Sequence, residues 1–457
     1  MNKEFHKKQN FFSFSDIDSE RKDRIMKFTS TEATPAPHVP PGVLRLTGAA
    51  KEDIPMYRIQ TMNKISPVGL NRFPSELYEV GDAVQDPQGI LVRSAKLLDL
   101  EFNPSLLAIA RAGVGVNNIP LDRCAAAGIP VFSTPGANAN AVKELVICAM
   151  LMGSRDIPGA IRWVREQAAS GVDVSTVVEK GKSAFIGPEL YKKTLGIIGL
   201  GAIGSIVANT AISLGMDVYG YDPFLSVDTA LRLDRHVHVV KDINDLYKRS
   251  DYITMHIHYT EKTAHMIDAD AIAAMKRGVR VINLARGEIV DDEAMLTALD
   301  TVRVLLDMIA ALETGRVAKY VTDFPNDTIA TVKNVIAMPH LGASTPESEQ
   351  NCAAMAVDTL RDYLESGNIR SSVNLPEMTM DRSGVQRLCV LHKNVPGMLA
   401  NITSLFGRDG VNVENLSNKS RGDYAYTMVD LGSKVGDNVI EDVRRTANVI
   451  RVRSLEW

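Results

Sequence analysis

A glycine-rich turn near the middle of the chain has the residue types and the spacing to hold a dinucleotide. It reads Gly199-Leu-Gly-Ala-Ile-Gly204 and follows the apolar run Thr194–Ile198. A helix that begins at such a turn presents free backbone N–H groups and a positive potential to a pyrophosphate. The predicted cofactor contacts in this turn are Gly199, Gly201, Ala202, Ile203 and Gly204.

An aspartate follows the turn at the distance that this kind of site requires. Asp222 ends the next predicted strand, eighteen residues after Gly204. A carboxylate at that place accepts hydrogen bonds from both ribose hydroxyls and repels a 2′-phosphate, so NAD is expected rather than NADP. The alternative role for Asp222 is that of a turn residue before Pro223.

A cation and a base each come directly after a predicted buried strand. Arg286 ends Asn283-Leu-Ala-Arg and His340 ends Met338-Pro-His. Removing a hydride from an alcohol carbon requires a base for the hydroxyl proton and a cation for the forming carbonyl. The carboxyl ends of the strands in a doubly wound sheet are where ligands bind. His256 and His258 also end a strand, and only a contact with the cofactor is expected of them.

Alternating strands and helices position these groups. From about residue 88 onward the alternation predicts a parallel sheet with helices on both faces. A long apolar helix is predicted over Ala139–Asp156. The predicted strands are Gly89–Arg93, Leu107–Arg111, Ile129–Phe132, Thr194–Ile198, Met216–Asp222, Tyr252–His256 and Val279–Leu284.

The C-terminal part of the chain has a different pattern. A helix follows His340, with a capping box at Ser344–Glu347, and ends near Gly367. Residues 369–385 are predicted to be a linker. Residues 386–457 then follow the order βαββαβ, which is typical of a ferredoxin-like unit.

Composition excludes several classes of partner. The 457 residues include 51 basic and 55 acidic side chains, and this balance leaves no basic footprint for a nucleic acid. The four cysteines show no metal or redox spacing, and we interpret them as buried small hydrophobic residues in a reducing compartment. These cysteines are Cys124, Cys148, Cys352 and Cys389.

The N-terminal residues differ from the rest of the chain. Residues 1–55 mix charges with a Ser/Thr/Pro stretch, so we predict a disordered extension; the alternative is that Met56 is a natural start. The sequence contains neither a run of about eighteen apolar residues nor the apolar core of a secretory signal. We therefore expect a cytoplasmic protein.

A short segment occurs twice in succession. Met295–Val304 recurs as Met308–Val317 with six identities in ten positions. We interpret this as a tandem duplication that lengthens a surface helix; the alternative is chance similarity of two amphipathic segments.

Together these motifs resemble the D-isomer-specific 2-hydroxyacid dehydrogenases over about residues 56–457. The motifs are Gly199-Leu-Gly-Ala-Ile-Gly204, Asn283-Leu-Ala-Arg-Gly-Glu-Ile-Val-Asp291 and Pro339-His-Leu-Gly-Ala-Ser-Thr345. The resemblance implies an α/β architecture in which a Rossmann-like NAD domain, residues 152–340, is inserted in a flavodoxin-like substrate domain. The substrate domain would comprise residues 56–151 and 341–368.

The resemblance also implies roles for single residues. His340 would be the base and Arg286 the substrate anchor. The family's third catalytic residue is a glutamate, and its position is occupied by Asp327, one methylene shorter; Asp323 is the alternative. Further cofactor contacts would come from His256, Ala285 and Gly342.

The implied substrate is 3-phosphoglycerate. Arg93 and Arg111 would hold its phosphate, since arginine suits bidentate phosphate contact. The alternative is that they form surface ion pairs. The full set of implied substrate-binding residues is Arg93, Ser94, Arg111, Val114, Gly115 and Lys143.

The βαββαβ unit resembles an ACT domain. In serine-regulated members of the family, positions that match His392, Asn394 and Asn412 bind the effector between paired domains. The implied partners are therefore L-serine and a second copy of the chain, in a homodimer or homotetramer. Alternatively, the unit only dimerises and has lost its ligand.

These implications combine into one predicted activity. The protein would oxidise 3-phosphoglycerate to 3-phosphohydroxypyruvate with NAD, the first step of L-serine synthesis. A reductase of another 2-oxo acid, such as 2-oxoglutarate or hydroxypyruvate, is one alternative. A non-catalytic protein that senses NAD or an amino acid is the other.

Overall fold

A computed structural model describes residues 56–299 and 315–457. The predicted extension over residues 1–55 lies outside the described residues. So do residues 300–314, which make up most of the predicted duplication. No helix in the described ranges is long and apolar enough to cross a membrane.

The described chain forms sixteen strands in three sheets, together with thirteen α-helices. The strands are β1 (Tyr57–Met62), β2 (Tyr78–Gly81), β3 (Gly89–Val92), β4 (Ala108–Arg111), β5 (Val131–Phe132), β6 (Thr194–Ile198), β7 (Asp217–Tyr221), β8 (Val237–Val240), β9 (Tyr252–Met255), β10 (Val279–Asn283), β11 (Val317–Thr322), β12 (Val335–Ala337), β13 (Gln386–Lys393), β14 (Val413–Arg421), β15 (Tyr424–Leu431) and β16 (Val449–Glu456). The helices are α1 (Pro67–Leu70), α2 (Leu121–Ala126), α3 (Ala139–Arg155), α4 (Ile157–Ala169), α5 (Val174–Gly181), α6 (Ala202–Ser213), α7 (Val227–Ala230), α8 (Ile243–Arg249), α9 (Ala269–Ala274), α10 (Asp292–Leu299), α11 (Pro346–Ser366), α12 (Met398–Arg408) and α13 (Asp437–Arg445).

The first sheet is parallel, with the strand order β2-β1-β3-β4-β5. This is the flavodoxin-like order: β2 lies on one side of β1, and β3, β4 and β5 follow on the other side. Strand β3 is buried along its whole length because helices cover both faces. One of these helices is α11, whose Ala353, Val357 and Leu360 share a core with Ile59 and Leu91. A helix from late in the chain therefore completes the first sheet.

The second sheet has seven parallel strands in the order β12-β11-β10-β9-β6-β7-β8. Strands β6 and β9 are neighbours, so the order reverses between them and a crevice opens at their carboxyl ends. The predicted α/β class with a Rossmann-like unit is confirmed. Helices α4 and α5, between α3 and β6, were not predicted. Neither has a buried residue, although Ile157, Ile161 and Val164 of α4 recur at helical spacing in the sequence.

The third sheet is antiparallel, with the order β14-β15-β13-β16. Together with α12 and α13 it has the predicted ferredoxin-like order βαββαβ. The two helices cover one face, where Leu388, Ile402 and Val443 pack in one core. The other face contributes Cys389 and Tyr426 to the core of the first sheet.

The C-terminal end of α11 is held by side chains from outside the helix. Arg453 of β16 donates to the carbonyls of Tyr363 and Leu364, at 3.1 and 2.9 Å. Arg387 of β13 donates to the carbonyl of Ser366 at 2.8 Å. The last carbonyls of a helix have no partner within the helix, so these bonds satisfy groups that would otherwise be buried without one.

Residues 369–385, which were predicted to be a linker, pack against the first sheet. Ile369 and Met378 exchange backbone hydrogen bonds, and Ser372 forms a β-bridge with Phe132.

The four cysteines are all free. Cys148 is exposed on the outer face of α3, so the prediction that all four are buried was wrong for that residue.

Candidate active site

The three glycines of the turn between β6 and α6 each have a distinct steric environment. At Gly199, φ is 91° and a Cβ atom would lie 2.6 Å from the carbonyl oxygen of His256. At Gly204 a Cβ atom would lie 1.9 Å from the carbonyl oxygen of Gly199, so only glycine allows the helix to pack here. At Gly201 a Cβ atom would have no neighbour within 4 Å. The open space faces the N-terminus of α6, as a pyrophosphate site requires.

Asp222 lies at the edge of this turn and is fixed by two backbone groups. Its Oδ2 atom accepts a hydrogen bond from the N–H of Leu200 at 2.9 Å, and its Oδ1 atom accepts one from Phe224 at 2.9 Å. Each carboxylate oxygen can accept a second bond. The geometry therefore fits a group that holds two ribose hydroxyls.

The two histidines at the end of β9 have different surroundings. The ring of His256 lies 3.2 Å from the hydroxyl of Thr254, and burial lowers the pKa of His256 to about 3. The ring is therefore neutral at physiological pH and adds no charge to the cofactor crevice. His258 is exposed.

His340 and Asp323 form a pair at the carboxyl ends of β12 and β11. The Nδ1 atom of His340 lies 3.3 Å from Oδ2 of Asp323, which also accepts a hydrogen bond from the N–H of Gly342 at 3.3 Å. The Asp323 side chain is fully buried, and its Oδ1 atom has no hydrogen-bond partner among the described residues. The His340 side chain is 57% exposed and can reach a ligand.

Asp327 does not take the place that the sequence predicted for it. Its side chain is exposed, and none of the described ion pairs joins it to His340. The cause is a turn at Asn326, whose Oδ1 atom accepts from the N–H groups of Thr328 and Ile329. This turn directs residue 327 into solvent, so Asp323 is the carboxylate at the histidine.

Arg286 is placed by the buried side chain of Asn283 at the end of β10. The Asn283 amide donates to the carbonyl of Arg286 at 2.8 Å and accepts from the N–H of Ala285 at 3.2 Å. The Arg286 guanidinium donates to the carbonyl of Ala285 at 2.6 Å. This local network fixes the loop from which the guanidinium extends.

Two arginines from different sheets converge near Gly115. A Cβ atom at Gly115 would lie 3.4 Å from the Arg286 guanidinium and 3.6 Å from that of Arg111. Burial lowers the pKa of Arg111, and the positive charges of Arg286 and Arg93 act in the same direction. Like charges held this close favour an anionic ligand between them.

The other predicted substrate residues lie on neighbouring loops. The carbonyl of Arg93 accepts from Nε of Arg111 at 3.0 Å, so the two arginine loops are joined. The N–H of Ser94 donates to Asn63 at 3.1 Å. Val114 is partly exposed on the same loop as Gly115. Lys143 donates to Asn140 of its own helix at 2.6 Å, a bond that does not direct it to the arginines.

The three predicted effector residues lie in the βαββαβ unit. His392 is buried, with Nδ1 at 2.8 Å from the carbonyl of Lys393 and Nε2 at 2.8 Å from the hydroxyl of Thr427. Asn394 donates to the carbonyl of Gly422 at 3.1 Å, and Asn412 donates to Glu414 at 3.0 Å. Each asparagine amide can form further hydrogen bonds, whereas both ring nitrogens of His392 already have a partner.

Known proteins are similar in sequence to this chain. Residues 147–342 match the family described as D-isomer specific 2-hydroxyacid dehydrogenase, NAD binding domain. A D-3-phosphoglycerate dehydrogenase of Synechocystis is 35% identical over 336 residues, which are 72% of this chain and 56% of that protein. The D-3-phosphoglycerate dehydrogenase of Escherichia coli K12 is 30% identical over 382 residues, 82% of this chain and 89% of that protein. The chain thus spans little more than half of the length of the first relative.

Solved structures share the fold. A crystal structure of NAD⁺-bound 3-phosphoglycerate dehydrogenase from Entamoeba histolytica is 25% identical with a TM-score of 0.51, over 70% of this chain and 99% of that one. The glycine turn, Asp222, Arg286 and His340 all lie within or beside the matched NAD binding domain. The chain therefore belongs to the D-isomer specific 2-hydroxyacid dehydrogenase family.

Proposed function

We propose that the protein oxidises D-3-phosphoglycerate to 3-phosphohydroxypyruvate with NAD, the first step of L-serine biosynthesis. The observation that carries the proposal is the convergence of Arg111 and Arg286 near Gly115, with Arg93 on the adjoining loop. Three guanidinium groups suit a small acid that carries both a carboxylate and a phosphate, because arginine binds either group bidentately.

The residues around the arginines supply the rest of the reaction. The Nδ1 atom of His340 lies beside Oδ2 of Asp323, which would leave Nε2 free to take the hydroxyl proton of the substrate. Arg286 would hold the carboxylate and polarise the forming carbonyl. NAD, when bound, would supply the acceptor for the hydride of the carbon that bears the hydroxyl. Gly201 and Asp222 would hold the pyrophosphate and the ribose.

We further propose that the βαββαβ unit binds L-serine and pairs with a second copy of the chain. Asn394 and Asn412 would contact the amino acid, since amides read both a carboxylate and an amine. His392 would support the site from the strand below. A cytoplasmic location is the matching proposal, because all four cysteines remain free, as a reducing compartment requires.

The test is NADH formation by the purified full-length protein with D-3-phosphoglycerate, in the presence and absence of L-serine. Turnover in the wild type that His340→Gln abolishes supports the proposal. Faster reduction of 2-oxoglutarate than of 3-phosphohydroxypyruvate would favour the alternative function, a reductase of another 2-oxo acid. NAD binding without any turnover would favour a sensor. Turnover that L-serine leaves unchanged would contradict the proposed serine site and leave the βαββαβ unit only the role of pairing two copies of the chain.

A further inference from the structure

One carboxylate lies on the arginine cluster, which we define as Arg93, Arg111 and Arg286. The Oε1 atom of Glu349 is 2.6 Å from Nη2 of Arg93, and both side chains are 43% exposed. Within residues 56–299 and 315–457, no other carboxylate forms an ion pair with the cluster. Glu349 therefore removes one of three positive charges from the site.

Glu349 is held in this position by the start of α11. Thr345 caps the helix by accepting a hydrogen bond from the N–H of Ser348 at 3.1 Å, and Glu349 follows within the first turn. The positive potential at a helix N-terminus stabilises a carboxylate there. His340 precedes the same helix by a few residues, so the carboxylate and the base share one short segment.

We propose that Glu349 is a specificity-determining residue that occupies Arg93 until the distal phosphate of the substrate displaces it. This inference rests on the proposed function. A substrate without a distal anion leaves the Arg93–Glu349 ion pair intact and binds only to Arg111 and Arg286. A phosphorylated substrate takes over Arg93, and Glu349 turns into water, which its exposure allows.

The charges agree with such an exchange. With Glu349 paired, one carboxylate offsets one of the three arginine charges, which leaves the cluster a net charge of +2. A carboxylate and a phosphate together carry about −2.5 to −3 at neutral pH, which matches the three arginines only after Glu349 has left. Exposed ion pairs are weak, so a phosphate that accepts two hydrogen bonds from one guanidinium can displace a carboxylate.

The experiment compares Glu349→Gln with Glu347→Gln, a matched control. Glu347 lies on the same helical turn, is exposed and has no ion pair among the described residues. The rate of NADH oxidation is measured with 3-phosphohydroxypyruvate and with hydroxypyruvate, which differ only in the phosphate. For Glu349→Gln we expect the KM for the phosphorylated substrate to fall about three- to five-fold, the upper part of the range for an exposed ion pair, with the other KM unchanged. Glu347→Gln should change neither.

A second measurement does not depend on turnover. Inorganic phosphate should raise the Tm of Glu349→Gln at lower concentration than that of the wild type, and Arg93→Gln should remove this difference. Equal changes in both KM values of Glu349→Gln, or equal phosphate binding by Glu349→Gln and Glu347→Gln, would overturn the inference. If no protein, wild type included, reduces either substrate, the proposed function fails, and phosphate binding alone decides the role of Glu349.

Discussion

The Nδ1 atom of His340 lies 3.3 Å from Oδ2 of Asp323, a buried carboxylate that directly follows β11. A buried acid beside a histidine fixes the ring orientation and the tautomer. This pair identifies Asp323, rather than Asp327, as the positioning residue of the proposed base, and the two aspartates can be separated by experiment.

Replacing Asp323 by Asn should lower kcat for NADH formation about 100-fold or more, because an amide can donate to the ring and reverse its tautomer. KM for 3-phosphoglycerate should change little, since the arginines are untouched. Asp327→Asn is the control and should stay within about two-fold, because residue 327 is exposed. Asp323→Glu should recover part of kcat. A larger loss in Asp327→Asn than in Asp323→Asn would restore the assignment made from the sequence.

The glycine turn gives a second prediction, in which folding and binding are separated. Gly204→Ala places a Cβ atom 1.9 Å from a backbone oxygen and should lower the free energy of unfolding by about 2 kcal/mol or more. Gly201→Ala meets no atom within 4 Å, so its Tm should match the wild type. Its Kd for NAD should nevertheless rise about ten-fold, because the methyl group fills the approach of the pyrophosphate. Fluorescence titration with NAD and thermal unfolding measure the two effects. Normal NAD affinity in Gly201→Ala would place the pyrophosphate elsewhere.

Much of this site could be predicted because local rules determine it. Gly199 and Gly204 have steric roles that their spacing and the flanking strand and helix already indicate. Arg286 follows β10 and His340 follows β12, and the strands of a parallel sheet end at one edge. Asp327 was misplaced because its spacing from Phe324 fits the family pattern, while the turn at Asn326 depends on hydrogen bonds that spacing does not reveal.

The docking of the third sheet is another feature with no local signal. Arg387 lies in an apolar strand and is fully buried, where its guanidinium pairs with Asp430 at 2.5 Å. A charged residue inside a predicted strand is ordinarily assigned to the solvent face. Asp430 lies opposite Arg387 on the neighbouring strand β15, but the other partners of Arg387 are the carbonyls of Ser366 in α11 and of residues 380 and 381, which no strand pattern indicates. Only the tertiary structure brings them together.

The Arg387–Asp430 pair provides a prediction about stability. Arg387→Met leaves Asp430 buried without its cation and should lower the free energy of unfolding by about 3–5 kcal/mol. Arg445→Met is the matched control: Arg445 pairs with Glu441 at the surface, with 75% of its side chain exposed, and should change stability by less than about 0.5 kcal/mol. Urea denaturation measures both. The double variant Arg387→Met/Asp430→Leu should be more stable than Arg387→Met alone, and a less stable double variant would show that the carbonyl contacts of Arg387 dominate.

His256 provides a prediction about pH. Burial lowers its pKa to about 3 in the folded chain, against about 6.5 in an unfolded one. Between these two values the unfolded chain binds a proton that the folded chain does not, so stability falls as the pH falls through this window. Because His256 is partly accessible, we expect a contribution of about 1 kcal/mol between pH 7 and pH 5. The variant His256→Asn should lose that part of the slope in urea denaturation without cofactor. An identical slope in both proteins would mean that the folded ring protonates normally.

Helix α11 has 21 residues, which corresponds to about 30 Å of straight rod. One end carries Glu349, which pairs with Arg93, and the other end accepts hydrogen bonds from Arg387 and Arg453 of the antiparallel sheet. The C-terminal unit thus holds one end of the helix whose other end carries Glu349. Removing the unit would leave the last carbonyls of α11 without these donors. Since α11 packs on the first sheet, the position of Glu349 beside Arg93 would then be less firmly fixed.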